Sequence, residues 1–569
     1  MKSLINIKRV AGLALILLMI SACTKNYEEL NTRHDLVTED VLDTDLLLTF
    51  VLHTKWIYGG ETGGGTTGNY PGLSVSNSNR PFQVQNASYG PYGVARNVAD
   101  LIRILEKRDA EAGNNDNATE IAIARILKAH TFARMTDRVG DCPYFESCLP
   151  QEEVVYAPKY DTQESIYKDL LKELREAAAQ LDENKDAYGS ADILYGGDVA
   201  KWRKFANSLR LRLALRVRYV DPALATQEMS DLNESNLITS ADDIAYIMTA
   251  EDYDENLNKN FANPNASWTG LRRNGPDLTK SFIGKTALDI WQDNFDPRLK
   301  LYCDTAEAPW PTTPGYDTID YFGYRGHPVL GYVPVEQKYP YGSESCSRWS
   351  LHMYAPIWPN FVVTAHEVYF ALAEAALFDI KGSPAEAQGF YEKGVKAALD
   401  WSVFWNDIIE PQLPEMFGYY RPDSSAEFVA EYADFHRVTQ EEVDAFVDTA
   451  AVMSLTGTAE EQLEMIMNQK IVGFFPNQIV EAYYEWRRTG YPRVLVGDDD
   501  DALQGVSPRR YLYPDSEQSL NAENLAEAIS RMGGTDNMLS KMWWDANPLA
   551  PHEHPGEVPY MDAPWVQGK

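Results

Sequence analysis

The sequence predicts a mainly α protein in which paired helices form a scaffold for long irregular loops. Three observations carry that prediction. Apolar residues recur at helical spacing along much of the chain, and the helical stretches come in pairs joined by turns. Between them lie stretches too long, and too rich in Gly, Asn, Pro and aromatic rings, to be simple connections.

At the N-terminus, Lys2, Lys8 and Arg9 precede an apolar run from Val10 to Ile20, the charged and hydrophobic regions of an export signal. The run is too short to span a bilayer, which takes roughly 20 apolar residues. Ile20-Ser21-Ala22-Cys23 sets an aliphatic residue, two small ones and a cysteine in succession. It resembles the lipobox at which bacterial lipoproteins are acylated on the cysteine sulfur and cut just before it. Residues 1–22 are therefore expected to leave as a signal peptide, Cys23 to carry the lipid (palmitate-type) anchor, and residues 23–569 to form a single α-helical domain. Two or three acyl chains exceed the marginal grip of one, each buried methylene adding about 0.8 kcal/mol. Lys25, Glu28 and Glu29 follow at once and resemble a signal for display on the outer face of the membrane.

With 84 acidic against 51 basic residues the formal charge is −33, which argues against nucleic acid as a partner, since binding a polyanion needs a basic face. The densest basic stretch, "KWRKFANSLRLRLALRVR" (201–218), places Trp202, Phe205, Leu209, Leu213 and Val217 on one helical stripe. It reads as core, with arginine stems over apolar surface and their heads paired to acidic neighbours. Beyond Cys23, the cysteines are Cys142, Cys148, Cys303 and Cys346, which show no metal-ligand spacing. Four thiols allow three pairings, and free buried thiols are equally compatible with the sequence.

In chain order, residues 95–108 and 118–138 read as one helix pair and 162–181 and 198–219 as a second. "TAHEVYFALAEAALFDIKG" and "PAEAQGFYEKGVKAALDW" form a third around a Gly-Ser-Pro turn. That unit covers about 37 residues, close to the tetratricopeptide period of about 34. Ala371, Ala375, Ala387 and Gly394 supply small residues where its helices must approach closely. A last pattern runs from Glu461, bends near Gly473 and Pro476, and ends at "EWRRTGYP". There Arg487 and Arg488 suit the carbonyl end of the helix, and Gly490 and Pro492 stop it. The long irregular stretches are 58–94, 250–280 and 303–360.

Several blocks together resemble a SusD/RagB-family outer-membrane lipoprotein of the SusD-like branch. They are the lipobox followed by "NYEELN", "TDRVGDCPYFES" (136–147), "DVAKWRKFANSLRLRLALR" (198–216), the helix pair 364–401, "NQKIVGFFPNQIVEAYYEWRRTGYP" (468–492), "PRRYLYPDSEQSLNAEN" (508–524) and "MWWD" (542–545). The resemblance implies a scaffold of tetratricopeptide-like helical pairs carrying ligand-binding loops. It implies a surface-exposed nutrient-binding protein without catalysis, which captures an oligosaccharide or a peptide and delivers it to a SusC-like TonB-dependent transporter in the outer membrane. Cys142 departs from the aliphatic residue usual in its block and raises a local disulfide as an expectation to test.

A sugar offers an apolar face of C–H groups and a rim of hydroxyls, so its receptor needs flat rings beside hydrogen-bonding groups. Loop aromatics are thus the candidate ligand contacts: Trp56 just before the first stretch with Tyr58, Tyr70, Phe82, Tyr89 and Tyr92 inside it, and Trp310, Tyr316, Tyr321, Tyr324 and Trp349 in the last. Arg80 and Arg96 could add forked donors to hydroxyls or carboxylates.

Enzymatic signatures fail on inspection. "GGGTTG" (63–68) runs into Asn69-Tyr70-Pro71 rather than a helix, so no helix terminus awaits a pyrophosphate. "HEVYF" begins like a zinc-protease helix but has Phe370 where the second histidine belongs. "HEH" (552–554) and "DDDD" (498–501) read as solvated segments, the latter lacking the spaced ligands and glycine of a calcium loop. No cofactor or metal is expected. The alternative of another class is a secreted all-helical glycoside hydrolase using a carboxylate pair, which a chain with 84 carboxylates cannot exclude by sequence. A third is a purely structural repeat scaffold.

Overall fold

The computed structural model describes residues 42–53, 74–76, 86–150, 153–248, 281–305, 323–324, 326, 347–355, 357–476, 478–494 and 508–550. Cys23 and Cys346 lie outside them, as do the "GGGTTG", "DDDD" and "HEH" segments.

A short helix α1 (Thr44–Val51) and strand β1 (Ser74–Ser76) precede four longer helices, α2 (Gly90–Ala112), α3 (Ala118–Val139), α4 (Gln163–Gln180) and α5 (Val199–Arg216). Each of these four packs on the next. Their starts are set by side chains: Thr162 accepts from Ser165 N at the head of α4, and Asp198 from Lys201 N at the head of α5. Helix α6 (Pro222–Met229) follows, then β2 (Ala245–Met248), β3 (Ser281–Ile283), α7 (Lys285–Asp293), α8 (Arg298–Tyr302) and β4 (Pro359–Val363). Strand β1 pairs antiparallel with β3, and β2 with β4.

The expected helix pair is α9 (Ala365–Leu377) and α10 (Pro384–Ile409), the most extensive contact between elements. Its turn works as the sequence indicated: Gly382 has φ 80°, Ser383 forms a capping box with Glu386, and Pro384 opens α10. Helices α11 (Leu413–Tyr420), α12 (Ala426–His436) and α13 (Gln440–Thr449) come next. The bend expected near Pro476 is a break between α14 (Ala459–Phe474) and α15 (Ile479–Thr489), with a cis Phe475–Pro476 bond. Helix α15 ends at Gly490 with φ 82°. Helices α16 (Glu517–Leu520) and α17 (Ala522–Arg531) lie in the C-terminal stretch. Among the described residues no helix is long and apolar enough to cross a membrane.

The expected stripe of α5 is core, with Trp202, Phe205, Leu209, Leu213 and Val217 all buried. Its arginines, however, are buried too, and they join an ionic network inside the bundle. Arg212 Nη2 donates to Glu367 of α9 at 2.7 Å, and Arg216 Nη2 to Glu481 of α15 at 2.6 Å. Arg216 also pairs with Asp137 of α3. Deeper still, Arg488 donates to Glu374 (2.6 Å) and Glu485 (2.6 Å), and Lys470 of α14 donates to Glu485 (2.8 Å). Burial pushes these carboxylates up, yet the neighbouring cations win: Arg488 with Arg218 holds Glu374 below its ordinary value, and Arg488 with Lys470 holds Glu485 well below it.

The histidine of "HEVYF" is part of this interior. His366 Nε2 lies 3.0 Å from Thr364 Oγ1, while the neighbouring Glu367 is engaged by Arg212. Burial, with the Arg298 and Lys470 cations nearby, lowers the His366 imidazole to about 3. A base whose folded value is depressed stabilises the fold above its unfolded value near 6.5, and that contribution is lost as pH falls. Between pH 7 and pH 5 the wild-type protein should therefore lose about 2 kcal/mol relative to His366→Gln. Denaturant titration of both proteins at the two pH values checks this, and a constant difference between them would contradict it.

Candidate functional site

Two structural features position the loop aromatics. The first joins the bases of the loops. Ser74, Val75 and Ser76, inside the first irregular stretch, pair with Ile283, Phe282 and Ser281, which directly follow the second. Ile283 N donates to Ser347 O (3.2 Å), Cys303 bridges to Trp349, and Asp304 N donates to Arg348 O (3.0 Å). Three segments far apart in sequence thus leave the scaffold side by side. Below them lies an aromatic floor: Trp291 and Tyr302 each meet Phe475 edge-on, at 5.5 and 5.1 Å, and Tyr302 meets Trp405 at 5.7 Å.

Trp56, Tyr58, Tyr70, Arg80, Phe82, Trp310, Tyr316 and Tyr321 lie outside the described residues. Trp349 belongs to the floor: it is buried, with its ring 5.4 Å from Phe475 and 6.3 Å from Tyr354. Tyr324 is buried as well and borders a cleft of about 880 Å³ with Phe295, Lys300, Phe435 and Glu442.

The second feature gathers Tyr89, Tyr92 and Arg96 into one cleft of about 290 Å³. They come from the first turns of α2, where Tyr89 precedes the helix and Pro91 sits inside its start. The facing walls are the Pro143–Leu149 loop, the Val154–Pro158 loop and α16. The tyrosine hydroxyls are engaged within the protein. Tyr92 OH donates to Pro143 O at 2.6 Å, while Tyr89 OH lies 3.1 Å from Tyr160 OH, which donates to Glu517 Oε2 at 2.7 Å. Burial raises the phenols of Tyr89 and Tyr92 well above their ordinary value, so both stay neutral. What they offer a ligand is ring surface.

The rim carries Tyr156 and Leu520, 92% and 69% exposed, which the sequence reading missed. Tyr156 stands in "VVYAP", in the connection 140–162 between α3 and α4, which lacks the Gly and Asn enrichment that marked the other stretches. Two carboxylates also face the cleft, but both have structural partners. Glu146 Oε2 accepts from Lys159 N at 2.9 Å, and Glu517 accepts from Tyr160. Cys142 and Cys148 beside it are free thiols, so the local disulfide considered from sequence is not formed here. Among the described residues no group of three or more His, Cys, Asp or Glu is placed to hold a metal ion.

The arrangement is one for binding: aromatic and aliphatic walls, one forked cation, and carboxylates already hydrogen-bonded. A family profile described as starch-binding and associating with the outer membrane matches residues 74–514. No curated protein matches the chain. Among solved structures, the chain is similar to a SusD homolog from Bacteroides fragilis, at 21% identity and a TM-score of 0.67, with 89% of this chain and 100% of that one covered. It is similar to a chitin-binding protein at 27% identity and a TM-score of 0.67, over 89% and 100% of the two chains. A chitin-binding SusD homolog from Flavobacterium johnsoniae aligns at 22% identity and a TM-score of 0.61, over 88% and 98%.

Proposed function

The chain belongs to the SusD-like family of starch-binding, outer-membrane-associating proteins, and from that premise we propose that it is a surface-anchored nutrient-binding lipoprotein without catalysis. Cys23, acylated after removal of residues 1–22, holds it on the outer membrane, facing the cell exterior. Its ligand is an oligosaccharide, with a peptide as the second choice, and a SusC-like TonB-dependent transporter receives it. The observation that carries this reading is the β1–β3 pairing, which sets the bases of the aromatic-rich loops side by side.

Shallow aromatic contacts suit capture and release. Rings present large rigid surface at low entropic cost, and hydroxyls already bonded inside the protein pay no desolvation when a sugar arrives. The chitin-binding relative supports a glycan as the ligand.

The test is calorimetry on protein lacking residues 1–23 against neutral and acidic oligosaccharides and peptides, with product analysis of the same mixtures. Binding of at least one glycan without turnover is expected. Enzyme-like hydrolysis abolished by Glu517→Gln would establish the glycosidase alternative instead. Mass spectrometry of the native N-terminus checks the acyl chains on Cys23.

A further inference from the structure

The cleft bordered by Tyr324 is an open groove whose walls combine exposed rings with unpaired acid. Phe295, in the turn between α7 and α8, and Phe435, at the end of α12, line it together with Ala445 and Phe446 of α13. Phe295 is 75% exposed and held at φ 55°, and Phe435 is 48% exposed. A bulky side chain is strained in the left-handed region, and large rings gathered in open water mark an interaction site. Phe428, 42% exposed, extends the line of Phe435 seven residues back along α12.

Charge follows the same geometry. On α12, Glu427, Glu431 and Asp434 recur at i, i+4 and i+7, about a quarter turn from the two phenylalanines. On α13, Glu441, Asp444 and Asp448 recur at i, i+3 and i+7, about a quarter turn from the side that lines the groove. All six are exposed, and none has a cationic partner among the described residues. Every lysine and arginine on the helices around the groove is already held: Lys285 by Asp289, Arg298 by Asp296 and Lys300 by Glu442. Arg437, just beyond α12, is held by Glu410. From Leu413 to Thr449 the chain carries nine acidic residues against two basic, a far denser negative charge than −33 spread over 569 residues.

We propose that this groove is a docking surface for another protein, which inserts an apolar side chain into it and sets lysines or arginines against the two rows of carboxylates. With about 880 Å³, the groove has room for a bulky anchor of that kind. A small ligand does not account for the rows: α12 and α13 are each about 15 Å long, beyond the reach of a single sugar or amine. An anionic membrane would be repelled. A basic segment of polypeptide meets both rows at once, and the unpaired surface charge steers its approach. The groove shares no lining residue with the Tyr89 cleft, so the inference stands apart from the choice of nutrient.

The probes are labelled, capped peptides with a central Trp, Phe or Leu flanked by Arg and Lys. Each is paired with the same peptide carrying Ala at its centre and with one carrying Glu in place of the basic residues. Binding to the acyl-free protein is measured by fluorescence anisotropy at low and physiological salt. At least one basic peptide is expected to bind at both, about tenfold tighter than its Ala-centred partner, while the acidic peptides do not bind. Its affinity should fall with salt, drop about tenfold in Phe435→Ala and severalfold in the double variant Glu441→Gln, Asp448→Asn. Phe404→Ala, at an exposed ring of α10 outside the groove, should leave binding unchanged. All these positions are exposed, so the variants should keep the wild-type melting temperature, which separates lost binding from lost folding. Equal binding of the Ala-centred partners, an unchanged affinity in Phe435→Ala, or no binding of any basic peptide would each overturn the inference. So would a glycan whose binding is lost in Phe435→Ala, which would make the groove part of the sugar site.

Discussion

Arg488→Ala is expected to destabilise the protein by about 3 kcal/mol, because it takes from two buried carboxylates the guanidinium they share. Glu374 and Glu485 are both held to Arg488 at 2.6 Å, and none of the three has appreciable exposure. Glu485 keeps Lys470 and Glu374 keeps Arg218, so the loss is partial at each. It falls on three helices at once, α9, α14 and α15. Removing opposite charges together should cost less than the sum: the double variant Arg488→Met, Glu374→Leu is predicted to recover part of the loss, since buried apolar replacements avoid desolvation. Denaturant-induced unfolding of the two single variants and the double gives the coupling directly. Additive losses would mean that Arg488 and Glu374 do not act as a pair.

The second large effect is steric. Gly394→Val should cost about 3 kcal/mol, the upper end for overpacking a dense core. A β-carbon at Gly394 would stand 2.9 Å from the ring of Phe370, which is wholly buried between α9 and α10. The ring has no empty space to enter, so the helices must separate. Gly389 on the same helix has nothing within 4 Å and is exposed. Gly389→Ala should accordingly stabilise by about 0.5–1 kcal/mol through helix propensity alone. Opposite signs of the melting-temperature shift at two glycines five positions apart are the expected result. A loss at both would show that glycine is needed in α10 for some reason other than close approach.

Gly394 also illustrates what the sequence made legible. Small residues in a helix pair of roughly tetratricopeptide length mark the approach of α9 and α10 in the sequence itself, because that geometry admits few side chains. The stop of α15 was readable from Gly490, which takes the positive φ found at that helix end. Strands β2 and β4 were not. Pro359–Val363 is buried on both faces, so it lacks the alternation by which a strand is recognised. Helices α11 to α13 escaped notice because they are short and separated by turns, and packing rather than periodicity defines them. The arginines of α5 were placed with acidic partners correctly, but the identity of those partners, 150 or more residues away for Arg212, is a tertiary fact.

The candidate site was partly legible. Tyr89, Tyr92 and Arg96 could be singled out because they end an irregular stretch where a helix begins, and the fold brings them together. Tyr324 and Trp349 shared their composition but are buried, since residue type alone does not tell an exposed ring from a buried one. Tyr156 gave no signal in either composition or spacing.

The ladder between β1 and β3 is only three residue pairs long, yet it stands where the irregular stretches join the helical scaffold. Lengthening a surface excursion costs little, about 0.6 kcal/mol for each doubling of its length. New recognition segments can therefore be grafted beyond that junction while the helical chassis and its ionic interior stay untouched. Under the proposed nutrient-binding function, a change of ligand then requires only an exchange of inserts on a fixed frame.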